Sequence, residues 1–197
     1  MLQRSIKAPV TRAITPLCSG LLRAGITPNV MSAIGGLGSS VAAIFLFGSG
    51  HFLAGTIVTT SFVLFDLLDG TMARISGSTS RWGALLDSTL DRISDASILG
   101  AMAYWFSHSS DRNVPLILSV LILGSLISYI KARAEALDIE CDGGIAERTE
   151  RLIIILLTAG LSGLGIPYIF SIGLWLLLVL SVITVFQRMQ IVYKGSR

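Results

Sequence analysis

Residues 168–187 read YIFSIGLWLLLVLSVITVFQ, 20 positions without one acidic or basic side chain. No other feature constrains the fold as much. A helix of that length reaches about 30 Å, the thickness of the hydrocarbon core of a bilayer. A surface helix of a soluble domain would keep a polar face, and this run has none. Six such segments can be drawn, roughly Asn29–Phe47, Leu53–Ala73, Gly83–Phe106, Val114–Ala134, a short Arg151–Leu161 with some upstream residues, and Tyr168–Gln190. The chain is 52% hydrophobic and 14% charged, whereas soluble domains are about a quarter charged. The segments are continuous and lack the alternation of barrel strands. The expected fold is an all-α membrane protein with six transmembrane helices.

Ahead of them lies MLQRSIKAPVTRAITPLCSGLLRA, with Arg4, Lys7, Arg12 and Arg23 among scattered apolar residues. It has no central apolar block and no small-residue cleavage site, so it is not expected to act as a signal peptide. Residues 1–25 are expected to form an amphipathic juxtamembrane helix on the cytoplasmic surface, and residues 26–197 one membrane domain. Six spans put the basic clusters on one side: the N-terminal four, then Arg74 and Arg81, then Lys131, Arg133, Arg148 and Arg151, then Arg188, Lys194 and Arg197. The opposite connections GSGH, HSSDRN and SGLGIP carry only Arg112. The positive-inside rule therefore places the basic side in the cytoplasm, in a multi-pass protein of the cell membrane. Cys18 and Cys141 form no metal or redox pattern, and His51 and His108 sit near helix ends as surface residues.

Into this apolar background the chain inserts FDLLDGTMAR and LLDSTLDRISD. Asp66 and Asp69 are three apart and share a helix face, with Gly70 and Ala73 beside them. Asp87 and Asp91 are four apart on a second helix, with Gly83 one turn earlier. Four facing carboxylates repel in a low dielectric, so a cation between them is expected. Oxygen donors without His or Cys favour a hard ion, Mg2+ or Mn2+ or Ca2+. Salt bridges to Arg74, Arg81 and Arg92 are the structural alternative. Acids inside a membrane are functional by default, which also admits an ion or solute transporter. These acids fall near the cytoplasmic ends of the spans, without the duplicated halves of many transporters, and favour an enzyme at the membrane surface.

The residues Asp66, Asp69, Gly70, Ala73, Arg74, Gly83, Asp87 and Asp91 meet the pattern D-x2-D-G-x2-A-R-x8-G-x3-D-x3-D at every spacing. The chain thereby resembles the CDP-alcohol phosphatidyltransferases. TPN at Thr27–Asn29 and the six-helix layout agree with that resemblance. It implies two divalent ions (Mg2+ or Mn2+) held by Asp66, Asp69, Asp87 and Asp91, with Asp66 and Asp87 bridging. It implies Asp91 as general base toward the acceptor hydroxyl, CMP as the leaving group, and a homodimer. Gly70 and Ala73 would admit the cytidine of CDP-diacylglycerol, and Asn29, Val30, Met31, Ser32, Arg74 and Ser80 would contact the nucleotide. Met31 and Ser32 stand where relatives often carry a β-branched residue and threonine, so the resemblance carries backbone contacts there rather than side-chain ones.

The segment SYIKARAEALDIECDGGIAERTERL resembles the corresponding stretch of actinobacterial phosphatidylinositol phosphate synthases. That resemblance implies an acceptor-phosphate pocket of Lys131, Arg133, Arg148 and Arg151, and inositol 3-phosphate as acceptor. Glycerol 3-phosphate, giving phosphatidylglycerol phosphate, is the alternative, because both acceptors are phosphomonoesters. The expected partners are the CDP-lipid, the acceptor and membrane lipids, with no nucleic acid. Asp95, one turn beyond Asp91, is expected in a supporting or helix-packing role.

Overall fold

The computed structural model describes residues 14–78, 80–108 and 113–197, with Asp66 described in its backbone alone. Arg4, Lys7, Arg12 and Arg112 lie outside the described residues. The described residues are helical without strands: α1 (14–23), α2 (Pro28–Gly48), α3 (Phe52–Val63), α4 (Phe65–Ser76), α5 (Arg81–Ser107), α6 (Asn113–Glu135), α7 (Arg148–Gly163) and α8 (Ile169–Gly195). Each expected apolar segment coincides with a helix or, for Leu53–Ala73, with the α3–α4 pair, which is separated only by Leu64.

Among the described residues four stretches are long and apolar enough to cross a membrane: α2, α3 with α4, α6 and α8. Of the remaining helices, α5 and α7 fall short for different reasons. α5 has 27 residues but carries Arg81, Asp87, Asp91, Arg92 and Asp95. α7 has 16 residues, about 24 Å at 1.5 Å per residue, which is under the hydrocarbon thickness.

The chain divides into two compact units. The first holds the described residues up to Ala42 together with Val58–Ser94. Its apolar centre is Cys18, Met31, Leu68 and Met72, with Ile14, Leu21, Leu22, Ile26 and Phe65 packed around it. Burial pushes the Cys18 thiol up from its ordinary pKa, which keeps it protonated. α2 meets α5 closely at Gly36, where a Cβ would stand 2.7 Å from that of Leu90. Beside that approach the buried Ser39 and Ser94 hydroxyls pair at 2.7 Å.

The second unit holds Ala43–Ile57 and Asp95–Arg197. α8 packs against both α6 and α7. The buried stripe of α6 (Ile117, Val120, Gly124, Ile127, Ile130, Ala134) recurs every three or four residues, as one helix face requires. Phe47, Phe52, Phe106 and Phe170 form an aromatic cluster, with Phe106 stacked on Phe170 at 5.2 Å. At Gly163 an added Cβ would lie 2.4 Å from the Leu53 backbone nitrogen. Backbone cannot yield as a side-chain tip does. Gly163→Ala is therefore expected to destabilise the protein by roughly 1–3 kcal/mol despite alanine's better helix propensity. A thermal unfolding midpoint in detergent equal to or above the parent's would contradict this.

Candidate active site

Local chemistry sets the starts of α2 and α5 and the end of α4 in the first unit. Thr27 Oγ1 accepts a hydrogen bond from the Val30 amide at 3.4 Å and Pro28 opens α2, so TPN acts as cap plus first-turn proline. Gly77, with φ +64, closes α4 in the left-handed conformation, and its amide donates to the Ala73 carbonyl. The hydroxyl of Ser80 then accepts the Gly83 amide at 2.9 Å and caps α5. A stop signal, a short turn and a start signal thus bring the α4 and α5 motifs back onto each other.

Between them, and against the start of α2, lies a cleft of about 200 Å³. It is lined by Asn29 and Ser32 of α2, Asp69, Gly70 and Ala73 of α4, and Gly83, Ala84 and Asp87 of α5, with Pro28, Ser78 and Ser80 at its edge. Asp69 is 6% exposed, whereas Asp87 is exposed and Asp91, one turn further along α5, is half-buried. Nothing stands within 4 Å of a Cβ built on Gly70, so the missing side chain is space within the cleft. Gly83 is tighter, since a Cβ there would meet Asn29 Oδ1 at 2.9 Å and Ser80 Oγ at 3.1 Å.

The structure sorts the nucleotide residues expected from the sequence. Asn29, Ser32, Gly70, Ala73 and Ser80 line the cleft. Met31 instead packs into the apolar centre at 6% exposure, Val30 is 47% exposed, and neither lines the cleft. Arg74 is exposed and donates to Thr71 Oγ1 at 3.0 Å, an i to i−3 contact on its own helix. Ser80 carries a capping duty that its sequence position alone did not declare.

The site contains only oxygen donors. Asp69 and Asp87 line the cleft beside the Asn29 amide and the Ser32 hydroxyl. Among the described residues no three His, Cys, Asp or Glu side chains converge closely enough to cage an ion. Asp66, one turn before Asp69, is the motif carboxylate whose side chain lies outside the described set. A nine-tenths-buried carboxylate on the wall of a cleft whose polar groups are oxygen donors fits a hard divalent cation.

In the second unit the basic residues of the loop separate into three environments. Arg148 and Arg151, from the first turn of α7, both approach Asp95: Arg148 Nε lies 3.4 Å from Oδ1 and Arg151 Nη2 lies 3.9 Å from Oδ2. Lys131 donates to Asp142 at 2.7 Å and holds that carboxyl below its ordinary pKa, while Glu135 stands 3.8 Å away. Arg133 is exposed. By sequence Arg188 is only a charge on the basic side, but it is 4% exposed and donates to the Gly143 and Ile127 carbonyls at 2.9 and 2.7 Å. Thr184 Oγ1 accepts the Ala146 amide at 3.0 Å. α8 therefore ties down the loop that leads into Arg148. The available signal was polar residues at helical spacing, Ser181, Thr184 and Arg188, on an apolar helix.

Comparison with known proteins agrees with this arrangement. The sequence pattern of the family CDP-alcohol phosphatidyltransferase matches residues 25–186. Phosphatidylinositol phosphate synthase of Mycobacterium tuberculosis is 46% identical over 196 residues, covering 96% of this chain and 89% of that one. The enzyme of the same name from Streptomyces avermitilis is 42% identical over 205 residues, covering 100% of this chain and 84% of that one. The crystal structure of the M. tuberculosis enzyme with CDP-DAG bound superimposes with a TM-score of 0.89 at 46% identity, covering 93% of this chain and 95% of that one. Its complex with manganese and citrate superimposes at 0.86 with 45% identity, covering 92% and 89%. The chain therefore belongs to the CDP-alcohol phosphatidyltransferases, and it is a CDP-diacylglycerol-dependent enzyme of phospholipid biosynthesis.

Proposed function

We propose that this enzyme transfers the phosphatidyl group of CDP-diacylglycerol to inositol 3-phosphate, giving phosphatidylinositol phosphate and CMP. The observation that carries the donor half is the cleft in which Asn29, Ser32, Asp69, Gly70, Ala73, Gly83 and Asp87 meet. The acceptor half is supported by the loop sequence KARAE and ERTER and by relatives named phosphatidylinositol phosphate synthase. Asp66, Asp69, Asp87 and Asp91 would hold two divalent ions, Mg2+ or Mn2+. When bound, such ions neutralise charge on the diphosphate and its leaving group.

The protein's own steps are these. The cleft receives the cytidine end of the CDP-lipid, with Gly70 and Ala73 leaving room for it. Asp91 takes the proton of the acceptor hydroxyl. The acceptor oxygen forms a bond to the lipid-side phosphorus as that phosphorus loses its bond to CMP. Lys131, Arg133, Arg148 and Arg151 bind the acceptor phosphate. Residues 26–197 form the six-span domain in this reading, including the charged α5 and the short α7. Residues 1–25 lie on the cytoplasmic membrane surface, the site opens to the cytoplasm, and the protein is a homodimer.

Acceptor competition tests the reading. Inositol 3-phosphate, glycerol 3-phosphate and free inositol, offered together with CDP-diacylglycerol, are expected to yield phosphatidylinositol phosphate as the main lipid. Phosphatidylglycerol phosphate as the main product would transfer the assignment to glycerol 3-phosphate. Neutralising Arg133 is expected to raise the acceptor KM about tenfold, with little change in that for the CDP-lipid. Equal changes in both would assign Arg133 to the fold instead.

A further inference from the structure

The first turn of α7 sets two arginines three residues apart, Arg148 and Arg151, on neighbouring positions of the helix surface. Like charges so placed repel, the more so away from water. Arg151 is 7% exposed, and the side chains of Arg148 and Asp95 are 21% and 16% exposed. Asp95 faces one carboxylate oxygen toward each guanidinium, at 3.4 and 3.9 Å. Arg151 is held from two further directions. Its Nη1 donates to the Ala146 carbonyl at 3.0 Å, and a Cβ built on Gly124 would stand 3.4 Å from its Nε. Gly124 is thus a gap on α6 occupied by the guanidinium. Asp95 thus links the two guanidinium groups, and the loop carbonyl and the α6 backbone fix the direction of Arg151.

We propose that Asp95, with the space left by Gly124, positions Arg148 and Arg151 as a paired anion receptor, and so sets the affinity of the enzyme for its phosphorylated acceptor. This rests on the acceptor-phosphate reading of the two arginines. Asp95 acts through them and touches neither the reacting hydroxyl nor the leaving group. An unpaired arginine swings freely and presents its charge in many directions. Two arginines clamped on one carboxylate present a fixed set of N–H donors, and fixed donors distinguish a phosphomonoester from a neutral polyol.

The experiment compares Asp95→Asn, Arg148→Gln, Arg151→Gln and the Asp95→Asn/Arg148→Gln double variant in steady-state assays. CDP-diacylglycerol and inositol 3-phosphate are varied separately, and CMP is the readout. Asp95→Asn is expected to raise the acceptor KM about tenfold while kcat and the CDP-diacylglycerol KM change less than twofold. The double variant is expected to raise the acceptor KM by less than the product of the two single effects, because with Arg148 gone Asp95 has only Arg151 left to position. A fall in kcat with unchanged acceptor KM, or equal increases in both KM values, would overturn the proposal and leave Asp95 a packing residue. If the arginine variants raise the acceptor KM and Asp95→Asn does not, the positioning inference fails alone. If the arginine variants also leave it unchanged, the acceptor-phosphate reading fails with it. Should Asp95→Asn not fold, Gly124→Val crowds the Arg151 guanidinium without altering charge. It is expected to produce the same acceptor-selective increase, and an unchanged acceptor KM would overturn the proposal.

Discussion

Asp91→Asn is expected to lower CMP release from CDP-diacylglycerol by about 1,000-fold while leaving the unfolding temperature near the parent's. The size follows from the range for general acid–base catalysis, about 100- to 10,000-fold, with loss of one proposed ion ligand added. Asparagine keeps the shape of aspartate, and Asp91 is half-buried on the long α5 helix, so the helix has no packing reason to move. What disappears is the site that accepts the proton of the acceptor hydroxyl. Chelation of divalent ions should silence the parent enzyme as completely, with Mg2+ or Mn2+ restoring it. A variant within tenfold of the parent would remove Asp91 from the proposed base role, and turnover insensitive to chelation would remove the ions.

Gly70 offers the second large effect, because stability and activity should part company there. It sits inside α4, on the wall of the cleft, with nothing within 4 Å of a built Cβ. Glycine inside a helix costs roughly 0.5–1 kcal/mol relative to alanine. Gly70→Ala is therefore expected to raise the unfolding midpoint and lower activity. Gly70→Leu should remain folded and lose about 100-fold or more in kcat/KM for CDP-diacylglycerol, the scale on which misplaced substrates fail. Parent-like CDP-lipid kinetics in Gly70→Leu would mean that the donor does not occupy this cleft. A drop in stability with either variant would mean that the glycine serves packing.

These two residues also show how much of the site could be read without coordinates. Asp69, Gly70, Ala73, Gly83 and Asp87 were legible because helix geometry converts spacings of three and four into a shared face. The cleft they line follows from those faces once α4 and α5 turn back on each other. The Met31 and Val30 side chains do not line the cleft, since proximity to Asn29 in the chain says nothing about which way a helical side chain points. Met31 points into an apolar centre shared with Cys18, Leu68 and Met72. Asp95 and Arg148 are 53 residues apart, and Arg188 reaches a loop 45 residues earlier in the chain. No local pattern encodes those meetings.

By itself the sequence determined where the apolar helices fall, because apolar run length, proline and glycine act within a few residues. It also determined the acidic signature, because that signature is periodicity on two helices. Only the tertiary structure decided which arginines gather on one carboxylate, which basic residue turns to the loop, and which glycine opens onto a cleft rather than onto a neighbouring helix. Those outcomes depend on burial and on charges paired across long stretches of chain, and both exist only once the helices have packed.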